Sequence, residues 1–291
     1  MNDYIVRVLA KEAGIRGLVC VTTNLVNDAV QRHEATPSAA AALGHILTAG
    51  ILLGALLKVS QRVALKVESK GAIRKMLAEA DSYGRVRGYV LPNDVGLVGD
   101  TPAEDVAAAV GDKGVLTVVK DLRLREPVEG VVPIQTGKPD ADLVYYLMQS
   151  EQTPSLVEID AKLTAKGEVA VAGGLLFQVL PDHEPSALVE LSERLDDLPA
   201  LGVLLANGQT PESLLVDLMG DTEYEILEKI PLRFECSCSR ERSEQALISI
   251  GRAELESLIE EGEAVVDCHY CHQRYVFNRE ALEELLAKAR V

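Results

Sequence analysis

The chain has 291 residues, of which 47% are hydrophobic and 25% charged, enough apolar material for one large domain and a smaller companion. With no Trp and three Phe, the core must be aliphatic. The formal net charge is −16 with no compensating basic stripe, which argues against a nucleic-acid binder.

The start, MNDYIVRVLA, has an acidic residue at position 3 and no positive segment before an apolar run, so no signal peptide is expected. Cys20 lies in the strand-like apolar stretch GLVCVTTN and reads as a buried small hydrophobe. Residues 39–57, AAAALGHILTAGILLGALL, approach membrane-spanning length, with Gly50 and Gly54 in small-xxx-small spacing. Thr36 and Pro37 supply an N-cap and first-turn start, His45 interrupts the run, and no second such segment exists. Small residues on every face suit the central helix of a water-soluble core, so a helix over 38–57 without a membrane is predicted.

VALKVES (63–69) alternates apolar residues as a half-buried strand does, and RVRGYVL (85–91), VLTVVKDL (115–122) and EGVVPIQT (129–136) read similarly. Further helices are expected near 72–80 and 140–150. The two element types do not alternate in a strict βαβ rhythm, so residues 1–181 are predicted to form an α+β core domain. No GxGxxG or GxxxxGK[ST] phosphate loop occurs, which argues against a nucleotide-driven machine.

Pro181 and Pro185 mark a change of character. The charge is −2 over residues 1–181, −10 over 182–232 and −4 over 233–291. In the middle segment Leu188, Leu191, Leu195 and Leu198 recur at helical spacing among acidic residues, and Thr210-Pro211-Glu212 opens a second helix carrying Leu214, Leu215, Leu218 and Met219. Neither helix is long enough to stand alone in water. The segment is therefore either an ordinary helical subdomain or a conditional linker, docked only while a neighbour holds it.

Residues 233–291 read as a compact cysteine module. After CSC comes a helical patch, SEQALISI, then a helix led by Gly251 and ending at Gly262. A hairpin follows that turns at Cys268 and Cys271, and a last helix starts from Asn278 as N-cap. So small an apolar inventory calls for a staple. Cys236, Cys238, Cys268 and Cys271, as CxC and CxxC, supply the four ligands of a closed tetrahedral Zn²⁺ site, one ion per chain in the reduced form. His269 or His272 could substitute, but four thiolates leave no need of imidazole, and no open coordination position is implied. Arg240, Arg242 and Arg274 lie near the thiols in sequence and could stabilise their negative charge, or simply be solvated. Each pair is also near enough to close its own disulfide, Cys236–Cys238 and Cys268–Cys271, the tighter CxC ring being strained and labile. Oxidation would remove the metal's ligands, and a module that depends on its metal should unfold and release the acidic segment. Exposed apolar area beside a solubilising acidic stretch suits the holding of unfolded proteins.

CSCSRER (236–242) followed by CHYCHQRYVFN (268–278) resembles the 33-kDa redox-regulated heat-shock chaperonin family. LGHILTAGILLGALLK (43–58), GRVRGYV (84–90), LTVVKDL (116–122), YYLMQSEQTPS (145–155) and AGGLLFQVLP (172–181) extend the likeness along essentially the whole chain. The resemblance implies an ATP-independent holdase, cytoplasmic, inactive while reduced and zinc-bound, activated by oxidation and dimeric when active. Its partners would be unfolded proteins, with no nucleic acid, membrane or nucleotide, and it would have no catalytic residues. ESKGAI (68–73) and REPVEGVVP (125–133) depart from the family pattern, both within the core domain. Two rivals remain: a zinc-ribbon adaptor, which the negative charge opposes, and a thiol oxidoreductase using CHYC, which would need a thioredoxin-like context.

Overall fold

The computed structural model describes residues 2–96, 102–164 and 167–289. Chain contacts divide it into two compact units, with the break between Glu235 and Cys236.

The first unit opens with β1 (Tyr4–Ala10) and β2 (Ile15–Val21), then α1 (Thr23–His33) and α2 (Pro37–Ala55). Strands β3 (Arg62–Ser69), β4 (Lys75–Asp81) and β5 (Arg85–Leu91) follow, then α3 (Pro102–Val110), β6 (Gly114–Asp121), β7 (Val128–Pro133) and α4 (Pro139–Glu151). Next come β8 (Ser155–Leu163), β9 (Val169–Val179), α5 (Ser186–Asp196), α6 (Leu201–Ala206), α7 (Pro211–Met219), β10 (Glu225–Pro231) and β11 (Arg233–Phe234). One sheet has the order β10-β1-β2-β9-β8 and the other β11-β5-β4-β3-β6-β7, antiparallel throughout except that β11 runs parallel to β5. This is the α+β architecture expected.

Helix α2 packs against strands of both sheets, and every residue from Ser38 to Ala55 is buried. Its length and apolarity would suffice to cross a membrane, yet its whole apolar surface is covered by protein. The close approach explains its small residues. A Cβ on Gly44 would lie 2.6 Å from the Ala161 Cβ, and one on Gly50 would lie 3.1 Å from that of Ala78. Thr36 precedes the helix as expected, but its hydroxyl donates to the carbonyls of Asn93 and Val95 instead of capping.

The helix expected near 72–80 is instead strand β4. KMLAEAD is rich in helix formers, but Met76, Ala78 and Ala80 alternate inward and pair the strand between β3 and β5. Ala78 and Ala80 are small because Gly50 and Gly54 of α2 press against them, so packing overrides propensity. Strands β8 and β9 and helix α1 were not expected at all.

The acidic segment covers the second face of the five-stranded sheet. Leu188 and Leu191 of α5, Leu204 and Leu205 of α6, and Leu214, Leu215 and Leu218 of α7 form one cluster with Val6, Val8, Val19 and Phe177. Helix α7 starts with a capping box between Thr210 and Ser213. Its Glu212 accepts a hydrogen bond from Tyr4 Oη at 2.6 Å and pairs with Lys229 of β10 at 2.6 Å. Arg194 of α5 donates to the Leu218 and Met219 carbonyls, and Asp160 of β8 accepts from the Gly202 amide of α6. Strands β10 and β11, absent from the sequence reading, run from the edge of one sheet to the edge of the other, with Ile230 and Leu232 buried in the main core.

The second unit holds α8 (Arg240–Ser249), α9 (Arg252–Glu261), the hairpin β12 (Glu263–Asp267) and β13 (Arg274–Asn278), and α10 (Arg279–Lys288). Its core is small: Leu247, Leu255, Ala264, Phe277, Leu282 and Leu285.

Candidate metal centre

Two turns bring the four cysteines together. CSC ends against α8, where the Ser239 hydroxyl accepts from the Arg242 amide and starts the helix. CHYC forms the hairpin turn, closed by the Cys268 amide donating to the Gln273 carbonyl and the His272 amide to the Cys268 carbonyl. Asp267 and Arg274 pair across the hairpin base.

The four sulfurs all lie within 4.8 Å of one another. Cys236 Sγ is 3.7 Å from Cys268 Sγ, and Cys238 Sγ is 3.3 Å from Cys271 Sγ. Four sulfurs at about 2.3 Å from a tetrahedral ion would be spaced at about 3.8 Å, so the cluster fits a thiolate-bound zinc. Cys271 is buried and the other three are half-buried. Four thiols fill a tetrahedral shell, so the set is that of a closed site. Among the described residues no histidine belongs to the cluster.

Among the described residues none of the three arginines is bonded to a thiol, in keeping with the solvated role. The Arg240 guanidinium lies 4.3 Å from the Phe277 ring centroid, Arg242 donates to the Ser237 hydroxyl, and Arg274 is paired with Asp267. Tyr275 does reach a thiol: its hydroxyl donates to Cys238 Sγ at 3.3 Å. Strand alternation could have found it. Tyr275 shares the inward face of β13 with Phe277, while Arg274 points away.

Electrostatics within the cluster are uneven. Burial opposes ionisation of Cys238, but hydrogen bonds from Tyr275 and the other thiols outweigh it and hold this thiol below the usual range. Burial pushes Cys268 and Cys271 up. Tyr275, donating to Cys238, is pushed up to about 12. Cys20 is remote in role: it is buried in the core, which pushes its thiol up to about 12 and leaves it unreactive.

The chain matches the family model described as Hsp33 protein over residues 3–278. It is 46% identical to a 33 kDa chaperonin of Geobacter sulfurreducens, over 98% of this chain and 95% of that one. A 33 kDa chaperonin of Geobacillus sp. is 39% identical, with both chains covered completely. The crystal structure of the 33 kDa chaperonin from Thermotoga maritima superposes with a TM-score of 0.91 at 31% identity, over 99% of each chain. The chain belongs to the Hsp33 family and is a chaperone.

Proposed function

We propose that this Hsp33-family chaperone is an ATP-independent holdase, inactive while its four cysteines are reduced and metal-bound and switched on when they are oxidised. The observation that carries the reading is four thiols gathered within 4.8 Å in a unit whose own core is six side chains. Cys236, Cys238, Cys268 and Cys271 would hold one Zn²⁺, which when bound supplies folding free energy of about 10–16 kcal/mol in small modules. Without it, so small a core does not sustain the fold.

Each equivalent of hydrogen peroxide takes two electrons from a pair of thiolates, forms one S–S bond and, with two protons from solvent, leaves as two waters. Two equivalents consume all four ligands. We assign the disulfides as Cys236–Cys238 and Cys268–Cys271. The shortest sulfur distances in the folded cluster join the other pairs, but at a tetrahedral site every sulfur neighbours every other. Once the unit opens, loop closure favours the partners two and three residues apart over those about thirty apart.

Loss of order at Cys236 reaches the acidic segment through the chain itself. Glu235 and β11 precede Cys236 directly, and β10, which holds Glu212 of α7 through Lys229, precedes β11. The three domains in this reading are a core (1–181), a conditional linker (182–232) and a redox module (233–291). Undocking α5–α7 bares their leucines together with Val6, Val8, Val19 and Phe177 on the sheet, a broad apolar surface for unfolded clients. The acidic outer faces keep the complex dispersed. The active form is a cytoplasmic homodimer, with no role for nucleotide, nucleic acid or membrane. A thiol oxidoreductase is disfavoured because CHYC lies in a hairpin turn and not at a helix N-terminus.

The test measures zinc release and suppression of a heat-aggregating client in one sample, before and after peroxide and after reductant. About one zinc per chain should leave as thiols disappear, client light scattering should fall, and both should reverse. If zinc leaves and scattering is unchanged, the cysteines are a structural staple only.

A further inference from the structure

At one end of the central strands of the six-stranded sheet the strand register sets charges in a row. Arg62 of β3 lies opposite Asp81 of β4 on one side and Asp121 of β6 on the other. Both carboxylates are engaged elsewhere. Asp81 is buried and accepts from Arg85 Nε at 2.7 Å and from the Tyr83 amide at 2.9 Å. Asp121 accepts from the Arg123 amide at 3.0 Å and lies 3.4 Å from the Arg123 guanidinium. Arg62 is left exposed, with no ion pair or hydrogen bond among the described residues.

The loops around this row close a pocket lined by Ser60, Arg62, Asp81, Tyr83, Arg85 and Arg123. Its walls are fixed. Arg123 Nε donates to the Ser60 carbonyl at 2.7 Å, the Ser60 and Tyr83 hydroxyls are 3.2 Å apart, and the Arg85 guanidinium sits 5.2 Å from the Tyr83 ring centroid. Ser60 (φ 69°) and Arg123 (φ 61°) both adopt the left-handed backbone that non-glycine residues avoid, a conformation that recurs where ligands are clamped.

Three guanidiniums and one carboxylate, Asp81, line the pocket; Arg85 is also paired with Glu235 at 3.3 Å and Arg123 with Asp121, which leaves Arg62 as the lining guanidinium without a counter-ion among the described residues. Guanidinium forks match the oxygens of tetrahedral oxyanions in pairs, and of the Ser60 and Tyr83 hydroxyls, one of which donates to the other, the second adds a donor. We infer that this pocket binds a small multivalent oxyanion of the phosphate class, with Arg62 as the principal unshared donor and Arg85 and Arg123 held in place around it. The assignment does not rest on the redox reading.

The experiment uses the full-length, reduced, metal-loaded chain. Arginine Nε–Hε resonances are followed by NMR while inorganic phosphate replaces chloride at constant ionic strength. The resonances of Arg62, Arg85 and Arg123 should move along one saturable curve. Arg62→Ala should weaken binding at least tenfold. Arg125→Ala, an exposed arginine outside the pocket, should leave it within twofold. Parallel titration with phosphoserine separates a free anion from a phosphoryl group carried by a larger ligand. Arg123→Ala gives a second variant, and a thermal melt of each checks folding. Shifts that never saturate, or equal effects of Arg62→Ala and Arg125→Ala, would overturn the assignment.

Discussion

Glu158→Gln should make the docked acidic segment more stable at pH 8 and abolish a pH dependence the native chain carries. Glu158 and Asp160 lie on the outer face of β8, where Asp160 accepts from the Gly202 amide of α6 at 2.8 Å. Burial, then the charges of Asp140, Asp160 and Asp196 against a partial offset from Lys138, push the Glu158 carboxyl up to about 7. Below pH 4.5 the group is protonated whether the chain is folded or not. Between 4.5 and about 7 the unfolded chain releases the proton while the folded chain keeps it, so stability falls as pH rises and the contribution is gone above 7. The gap from 4.5 to about 7 corresponds to about 3.4 kcal/mol. Solvent screening at this partly exposed carboxyl reduces that to about 1.5–2 kcal/mol. Urea unfolding of both chains at pH 5, 6, 7 and 8, followed by circular dichroism, reads the difference. His45, buried with both ring nitrogens unpartnered and held below its ordinary range by burial, acts in the opposite sense and cancels in the comparison. A stability difference that stays constant from pH 5 to 8 would refute the argument.

Three other outcomes follow from particular contacts. Stripping the metal from the reduced chain with a zinc chelator should abolish amide protection across 240–288 while the β9 amides stay protected. Hydrogen exchange reads this, and a module still protected without metal would show that its six-residue core suffices. Glu212→Ala loses the Tyr4 and Lys229 partners and should cost about 1–2 kcal/mol. Exchange of the α7 amides should then quicken about 5- to 30-fold; an unchanged rate would mean that apolar burial alone seats the helix. Gly44→Ala puts a Cβ 2.6 Å from that of Ala161 and should destabilise by about 1–3 kcal/mol. Adding Ala161→Gly should recover part of the lost melting temperature, and no recovery would place the clash elsewhere.

Much of the fold was legible because period and punctuation agreed with packing. The strands at 62–69, 85–91 and 114–121 announce themselves by alternation, and α2 by a run of small residues too apolar for any surface. Strand β4 was missed because alanine has two meanings. In KMLAEAD it signals helix by propensity, but Ala78 and Ala80 are there to admit Gly50 and Gly54 of a neighbouring helix. Strand β9 was missed for the opposite reason: VAVAGGLLFQV is buried on both faces, so its alternation disappears. Strand β10 buries only Ile230, and nothing in EILEKIP announces that it pairs with β1, more than two hundred residues away.

The cysteine cluster was legible because its chemistry needs only residue type and spacing. What surrounds it was not, because nearness in sequence carries no direction. Arg274 and Tyr275 are neighbours, yet the pleat sends one to Asp267 outside the hairpin and the other to Cys238. The same pleat places Phe277 under the Arg240 guanidinium. One face of a five-residue strand thus supplies both the hydrogen bond to a thiol and the largest side chain in the module's core. The core and the cluster are consequently not separable parts. Opening the cluster frees Tyr275, and loss of order in β13 removes Phe277 from the five other buried side chains. In the proposed switch, loss of the thiols and loss of the fold would therefore occur together, in one all-or-none step.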